Sequence, residues 1–413
     1  MVLELAIAPR GGSFNVAMPQ PFIPRVLRPR RAAPADAVRP TRAEIDLESL
    51  RHNLRVIRKH AGGAQVWAVL KADAYGHGAA AVARTLERAN VGGFCVALLE
   101  EAIELRDAGV AAPILVMGGQ YGSAHEELVV RGLIPVVHDI EPVAAFARLV
   151  RSGVFEAPID VHLKVDTGMA RLGVPMRRLP EIAVKLASYP EVRVTGLMTH
   201  LACADAPDAA QSAEPLARFE AAAAILRRQG VVPGVRHAAN SAALLRGIAH
   251  FDAVRPGIAL FGVAPRVEGR PLSSELKAVM RVRTEIVALR DLRAGEAVGY
   301  GATFHATSNT RIATVPMGYA DGLSRHLGGR GHVLVRGKRA PLVGAVSMDM
   351  AMIDVTDVDG VRMHDEVVVL GSQNGPLGRD CISADEIAER AGTIAWDVLT
   401  SISRRVPRFY RQP

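Results

Sequence analysis

The chain has little cysteine and no long apolar run. Its three cysteines, Cys95, Cys203 and Cys381, are far apart in the sequence and form no C-x-x-C pair. This pattern argues against a disulfide framework and against a cysteine-based zinc site, and it fits a reducing cytoplasm. No apolar stretch approaches the roughly 20 residues that cross a bilayer. We therefore expect a cytoplasmic protein with no membrane partner and no bound metal.

Aromatic residues are also scarce, at 4% of the chain, and acidic residues are too few to balance the basic ones, which leaves a net charge of +8. Much of this excess lies before residue 43, where seven arginines face only two acidic residues. The rest of the chain is close to balance and lacks the interleaved basic and aromatic residues that stack bases. A nucleic-acid partner is therefore not expected.

The first 42 residues are rich in Arg, Pro and Ala and show no sustained period. Such a composition predicts a mostly disordered N-terminal extension. An Arg-rich, acid-poor start is also typical of a targeting peptide, and an over-long gene start is a further alternative.

From residue 43 onward, short apolar runs alternate with helical patterns. This repetition over about 220 residues predicts parallel strands with crossover helices, and around eight units favour a closed barrel over an open sheet. We therefore predict an α/β chain whose N-terminal (β/α)8 TIM barrel covers residues 43–270. The eight predicted strands are 66–70, 93–97, 114–117, 134–137, 159–165, 192–198, 235–238 and 253–255.

Past residue 271 the long helices stop, and β-branched runs follow one another across Gly and Asp turns. Strands without crossover helices pair in antiparallel fashion, so residues 271–413 are predicted to form a mainly antiparallel β domain. A capping box at 383–386 predicts a late helix. The predicted strands are 277–289, 311–316, 332–336, 351–355 and 366–370.

The most informative stretch is VWAVLKADAYGHG at residues 66–78. Its apolar run ends at Lys71, and the chain then passes through a Gly-containing turn into a predicted helix. This layout delivers a side chain from a buried strand into a pocket. Partial desolvation lowers the pKa of a lysine, whose free amine can then form a Schiff base. On spacing alone, Lys71 could equally mark the point where the strand meets water.

The string LKADAYGHG resembles the cofactor-lysine motif of the alanine racemases, pyridoxal-phosphate enzymes that interconvert the two enantiomers of alanine. By this resemblance Lys71 would carry the cofactor and act as one catalytic base, and Tyr75 would contact the cofactor phosphate. The family has a barrel of the predicted kind. At least six motifs of the family occur in the expected order between about residue 42 and the C-terminus.

Two later strings, AANSA at 238–242 and RPGI at 255–258, resemble the phosphate cup of the same family. Without the family, Ser241 would be taken for a helix N-cap. The residues that the resemblance assigns to the cofactor here are Asn240, Ser241, Gly257 and Ile258.

Two residues are assigned to the cofactor ring by the same resemblance. Arg255 matches an arginine that faces the pyridine nitrogen. Because a guanidinium stays protonated, it would keep that nitrogen without a proton and make the ring a weaker electron sink. The alternative for Arg255 is an ordinary surface ion pair. His200, at a predicted strand end, matches a histidine that stacks on the ring, although a lone histidine there is more often structural.

The segment DVHLKVDTGMARLG at residues 160–173 resembles the family segment whose arginine bonds the phenolic oxygen of the cofactor and the substrate carboxylate. That role falls to Arg171. Lys164 matches a lysine that is carbamylated in some members and would then support Arg171 from behind. A simple barrel lysine is the alternative for Lys164.

The second base lies in the other domain. The string VGYGAT at 298–303 resembles the family's catalytic tyrosine motif, which makes Tyr300 the base opposed to Lys71. A tyrosine with a free pKa of about 10 needs a positive neighbour to work near neutrality, and we expect His200 and Arg255 to supply it. In the family this tyrosine reaches the lysine of the partner subunit, which implies a homodimer with shared active sites. A turn aromatic is the alternative for Tyr300.

Two further strings, PMGYADG at 316–322 and SMD at 347–349, resemble the substrate entrance of the family. Tyr319, Met348 and Asp349 would line it, with the Met348 backbone near the substrate carboxylate. Near the C-terminus the chain departs from the family, because Arg404 stands where many members have a phosphate-contacting tyrosine. One phosphate contact is therefore either lost or ionic.

Together these features predict an alanine racemase that uses two bases and pyridoxal 5'-phosphate and supplies D-alanine for peptidoglycan. A broad-specificity or serine racemase on the same scaffold is the first alternative. A non-catalytic cofactor carrier is the second, and the Tyr300 motif argues against it. A decarboxylase of similar architecture is the third, and Arg255 argues against it, because a decarboxylase needs an acidic partner at the pyridine nitrogen.

Overall fold

The computed structural model describes residues 38–121, 124–153, 155 and 158–411. Residues 1–37 of the predicted N-terminal extension lie outside the described residues. The last part of that extension is folded: Thr41 is fully buried, and its hydroxyl donates to Pro316 O over 2.7 Å. Arg39 donates two hydrogen bonds, of 3.0 and 2.7 Å, to the buried carboxylate of Asp321.

The first half of the chain forms the predicted barrel. Strands β2–β6 and β8–β10 are all parallel and close into a ring of eight, in which β10 pairs with β2 and β5 pairs with β6. The two-residue strand β7 pairs with β6 outside the ring. The first ten strands are β1 (Arg42–Asp46), β2 (Gln65–Val69), β3 (Gly93–Val96), β4 (Ile114–Val116), β5 (Ile134–Val137), β6 (Ile159–Asp166), β7 (Val174–Pro175), β8 (Val192–Met198), β9 (Val235–His237) and β10 (Ala253–Val254).

Helices and short turns cover the outside of the barrel, so that its strands are buried on both faces. Strands buried on both faces consist of near-continuous apolar runs. Accordingly, four strand residues have no exposed surface, namely Phe94, Leu115, Val136 and Leu163. None of the described helices is long and apolar enough to cross a membrane. The helices of the first half are α1 (Leu47–Ala61), α2 (Lys71–Tyr75), α3 (Ala79–Arg88), α4 (Leu99–Asp107), α5 (His125–Val130), α6 (Ile140–Arg151), α7 (Leu179–Ala187), α8 (Ala213–Arg228) and α9 (Ser241–Leu245).

The second half is the predicted, mostly antiparallel β domain. Its main sheet has the order β14-β17-β20-β19-β18-β21-β13-β1-β23, with β22 paired to β21. The predicted cap is present, since Ser383 Oγ accepts from Glu386 N over 3.1 Å. The elements are β11 (Arg266–Val267), β12 (Arg270–Pro271), β13 (Met280–Glu285), β14 (Ala288–Leu292), β15 (Ala297–Val298), β16 (Phe304–His305), β17 (Thr310–Val315), β18 (His332–Val335), β19 (Lys338–Val343), β20 (Ala351–Asp354), β21 (Glu366–Gly375), β22 (Gly378–Ile382), α10 (Ala384–Ala391), α11 (Ala395–Ser401) and β23 (Arg408–Arg411).

Strand β1 does not belong to the barrel. Although the sequence predicts that the barrel begins at residue 43, the structure places residues 42–46 in the second sheet, between β13 (antiparallel) and β23 (parallel). The pattern of a strand does not reveal its pairing partner, and here that partner lies more than 200 residues away. The other predicted domain limits stay a prediction.

A buried glutamate binds β1 to its neighbours. Glu44 is 5% exposed, and its carboxylate lies 3.0 Å from Arg281 Nη1, 2.9 Å from Arg283 Nε and 2.6 Å from Arg411 Nη2. These three arginines come from β13 and β23, and a fourth, Arg42 of β1, has its Nη2 3.2 Å from the same carboxylate. A single carboxylate thus links β1 to both neighbouring strands.

Replacing this carboxylate should weaken the second domain. We expect Glu44→Gln to lower the free energy of unfolding by about 3 kcal/mol, because it removes the buried counter-charge of four clustered arginines. Two of them, Arg281 and Arg283, keep only the more exposed carboxylate of Glu366. Urea denaturation measures the loss. The matched control is Glu48→Gln, which removes a carboxylate that is 48% exposed and paired with Arg51 and Arg55. It should cost less than about 1 kcal/mol, and equal losses for the two variants would contradict the prediction.

Candidate active site

The carboxyl ends of the barrel strands surround a cavity of about 360 Å³. This is the face at which barrel enzymes place their active sites. Ten of the residues singled out in the sequence line it, namely Lys71, Tyr75, Lys164, Arg171, His200, Asn240, Ser241, Arg255, Gly257 and Ile258.

Lys71 enters the cavity from an unusual turn. Directly after the lysine, residues Ala72, Asp73, Ala74 and Tyr75 all have positive φ, between 52° and 56°. Glu101 in α4 holds this left-handed turn, since its Oε1 accepts from Ala72 N over 2.6 Å. The sequence predicts a short polar turn here but neither its handedness nor the role of Glu101.

The environment of Lys71 favours the free amine. Desolvation by the surrounding atoms lowers the lysine pKa, and the nearby charge of Arg171 lowers it further, while Glu101 acts in the opposite direction. The direction agrees with the expectation for a lysine at the end of a buried strand. Solvent still reaches the side chain through the cavity.

Tyr75 and the RPGI turn form one wall of the cavity. A Cβ on Gly257 would lie only 2.2 Å from the Tyr75 hydroxyl, so this position has no room for a side chain. Burial raises the pKa of Tyr75 above its usual value, which keeps the phenol protonated. The Ser241 hydroxyl accepts from Gly257 N over 2.9 Å and from Ala259 N over 3.3 Å. This narrow cup of hydroxyl and backbone groups fits a phosphate group.

The N-cap of α9 is Asn240 and not Ser241. The Asn240 side-chain oxygen accepts from Ala243 N over 3.0 Å, as an N-cap does. The alternative interpretation of Ser241 as a plain N-cap is therefore wrong, because its hydroxyl bonds the RPGI turn.

Arg255 is buried beneath the cavity, with 3% of its surface exposed, so the alternative of a surface ion pair is wrong. Its Nη1 donates to His237 Nδ1 over 2.7 Å, and its Nη2 donates to Thr199 O and Ala238 O over 2.7 and 3.1 Å. Burial lowers the pKa of Arg255 to about 10, which leaves it charged at neutral pH. All three of these partners are neutral acceptors.

The bond from Arg255 fixes the proton positions of two histidines. Because His237 Nδ1 accepts, the proton of its neutral ring is on Nε2, which donates to His162 Nδ1 over 2.9 Å. Burial, followed by the charge of Arg255, lowers the pKa of His162 to about 4 and that of His237 well below its usual value. Neither histidine was predicted from the sequence to belong to the site.

His200 is neutral as well. Burial lowers its pKa to about 3, with further contributions from Arg255, Arg171 and Lys164. The expectation that His200 supplies a positive charge to Tyr300 is therefore wrong, and the same role for Arg255 stays a prediction. Lys164 is itself affected, since burial and the charges of Arg171 and Arg255 lower its pKa to about 8. Its free amine is thus available near neutrality, and carbamylation stays a prediction.

The predicted residues of the second domain lie elsewhere on the chain. Tyr300 is 72% exposed and lines a separate pocket of about 660 Å³ with Ser347, Met350 and Met352. Tyr319 and Met348 are 41% and 53% exposed. A single chain therefore does not bring Tyr300 to Lys71.

Two residues near the C-terminus differ from expectation. Arg404 is exposed and is not among the lining residues of the cavity. Trp396, which was not predicted as a site residue, lines the cavity instead. No motif of the sequence marks this tryptophan, because its place depends on how the second domain packs against the barrel.

Asp349, predicted at the substrate entrance, forms an ion pair of 2.6 Å with Arg405.

The two halves of the chain match two family models. Residues 45–265 match the model described as alanine racemase, N-terminal domain, and residues 279–410 match alanine racemase, C-terminal domain. The chain belongs to the alanine racemase family. Curated family members include an alanine racemase of Sorangium cellulosum, which is 58% identical over 386 residues, covering 91% of this chain and 100% of the relative.

Solved structures of the family have the same fold. The alanine racemase of Streptomyces lavendulae superposes with a TM-score of 0.85 at 34% identity, covering 91% of this chain and 98% of the other. That of Bacillus anthracis with bound L-Ala-P gives 0.83 at 34% identity, covering 91% and 96%. That of Bartonella henselae with covalently bound pyridoxal phosphate gives 0.80 at 29% identity, covering 90% and 99%.

The neutral, buried histidines should make the free energy of unfolding of this protein decrease in acid. His77, His162, His200 and His237 all have a lowered pKa, to about 4, 4 and 3 for the first three. As the pH falls below about 6.5, the unfolded chain binds these protons first, so stability is full above that pH and is lost towards pH 4. Each histidine contributes up to about 1.4 kcal/mol per pH unit in this window.

Urea denaturation at pH 7.5, 6.5, 5.5 and 4.5 measures this loss. His200→Gln should reduce the pH dependence, whereas His364→Gln, at a position where the side chain is 75% exposed, should leave it as in the wild type. A stability that stays constant down to pH 4.5 would contradict the neutral state of the buried histidines.

Proposed function

We propose that this chain is an alanine racemase that interconverts L-alanine and D-alanine with pyridoxal 5'-phosphate. The observation that carries the proposal is the cavity in which Lys71, with its lowered pKa, faces Arg171, Arg255 and the Tyr75–Gly257 cup. Membership of the alanine racemase family supports the same function, as does the 58% identity to the alanine racemase of Sorangium cellulosum. The cell would use the product, D-alanine, for peptidoglycan.

The residues of the cavity fit the cofactor. The Tyr75 phenol, the Ser241 hydroxyl and the backbone at Gly257 and Ile258 would hold its phosphate, and Asn240 would support this cup by capping α9. Arg255 would face the ring nitrogen and His200 would stack on the ring. When bound, pyridoxal phosphate supplies the electron sink that makes the alanine Cα proton acidic.

Two bases would act on opposite faces of the alanine Cα. The Lys71 amine would remove or return the proton on one face, and the partner subunit's Tyr300 would do so on the other. The exposure of Tyr300 supports this arrangement, because a catalytic phenol on the surface of its own chain is free to enter another. We therefore propose a cytoplasmic homodimer with shared active sites.

The substrate carboxylate would bind Arg171, with Lys164 behind it. Tyr319 and Met348 would narrow the entrance from the partner subunit, and Asp349 would hold that entrance through Arg405. A broad-specificity or serine racemase remains the first alternative, since it needs the same bases and the same cup. Arg255 disfavours a decarboxylase, because its charge and its neutral partners oppose protonation of the ring nitrogen.

A racemisation assay tests the proposal directly. We expect the purified protein to absorb in the visible range and to racemise alanine faster than serine, arginine or lysine when pyridoxal phosphate is added. Lys71→Ala should lose both the absorbance and the activity, because it removes the amine that holds the cofactor. Glu48→Gln, at an exposed position of α1 that does not line the cavity, is the control that should keep both. A wild-type protein that neither absorbs nor racemises any of the four amino acids would overturn the proposal.

Mixing inactive protomers tests the shared sites. Lys71→Ala and Tyr300→Phe should each be nearly inactive alone, whereas a heterodimer rebuilds one intact site from Lys71 of one protomer and Tyr300 of the other. After random reassociation, we expect recovery of up to about a quarter of wild-type activity. Activity is measured after the two proteins are mixed, dissociated and reassociated. No recovery, with dimers verified by light scattering, would indicate self-contained subunits.

A further inference from the structure

The cavity wall has one contribution from the second domain. Among the described residues that line the cavity, Trp396 alone comes from beyond residue 265. It lies in the first turn of α11, is half-buried, and packs against the main hydrophobic core.

The helix that carries Trp396 is fixed against the lysine turn. A Cβ on Gly76 would lie 2.3 Å from Leu399 O, so α11 and the turn meet backbone to backbone. Arg408 donates from Nε to Gly76 O over 2.9 Å and from Nη1 to Val406 O over 2.6 Å. The position of Trp396 is therefore set by the same contacts that hold the turn of Lys71.

Trp396 is also of interest because Arg404, the other candidate from this end of the chain, does not line the cavity. Arg404 stands where many family members have a phosphate-contacting tyrosine, but its side chain is exposed and outside the cavity lining. Trp396, eight residues earlier, is the large side chain that this end of the domain directs to the cavity. An indole ring excludes water over a wide apolar face and also carries a hydrogen-bond donor.

We propose that Trp396 is a cofactor-binding residue, through which the second domain closes the cavity over pyridoxal phosphate and slows its loss. The inference rests on the proposed function only in taking pyridoxal phosphate as the ligand. It assigns cofactor retention to a domain that otherwise supplies only the second base and the substrate entrance.

The test measures cofactor binding and not turnover. Apoproteins of the wild type, Trp396→Ala and Trp396→Phe are titrated with pyridoxal phosphate, and the visible absorbance of the bound cofactor gives the dissociation constant. We expect Trp396→Ala to raise it about tenfold, a loss of about 1.4 kcal/mol. Trp396→Phe, which keeps an aromatic face, should recover much of the affinity. Ile394→Ala, at an exposed position just before α11, is the matched control and should bind like the wild type.

A second measurement does not depend on the stability of the alanine variant. The chain has two tryptophans, Trp67 and Trp396. In Trp67→Phe, the fluorescence of Trp396 alone should be strongly quenched when pyridoxal phosphate saturates the cavity, because donor and chromophore are in contact. Saturation without quenching would overturn the inference.

Two different outcomes distinguish a failure of the proposed function from a failure of the role of Trp396. If the wild type fails to bind pyridoxal phosphate, the proposed function fails. If the wild type binds it and Trp396→Ala binds it equally well, with the same apoprotein melting temperature, the function stands and the role of Trp396 is refuted.

Discussion

The left-handed turn after Lys71 is the constraint on which the site depends. Four consecutive non-glycine residues with positive φ cost free energy, since each places its Cβ too close to its own backbone. Contacts from three directions offset this cost: the carboxylate of Glu101, the guanidinium of Arg408 and the close approach of Leu399 to Gly76. Two of the three belong to the second domain, so the barrel alone does not set the position of its lysine.

The electrostatics of the cavity follow from how its cations are buried. One cavity is lined by four basic residues, Lys71, Lys164, Arg171 and Arg255. The nearby histidines, His200 and His237, have lowered pKa values and are therefore neutral. The field is therefore positive without a buried counter-ion at Arg255, whose partners are neutral. Such a site has much to gain from binding an anion, and both a phosphate and an amino-acid carboxylate are anions.

Much of the fold could be predicted because its signals are local. Each of the eight predicted barrel runs overlaps a strand of the ring, since parallel strands buried on both faces read as short apolar runs. The partner of β1 could not be predicted, because pairing across more than 200 residues leaves no local pattern. In the site, motifs located ten cavity residues, but not the handedness of the lysine turn, because Ala, Asp and Tyr do not favour it. No sequence pattern marks Glu101, which bonds the lysine turn, His237, which bonds Arg255, or Trp396, which lines the cavity, since only packing brings them to these places.

The placement of β1 has a consequence for synthesis of the chain. This strand is made first among the described strands, yet its two neighbours begin only at residue 280 (β13) and residue 408 (β23). The nascent barrel can close while β1 is still unpaired. The second sheet becomes complete only once β23 has been made and docks beside a strand made several hundred residues earlier.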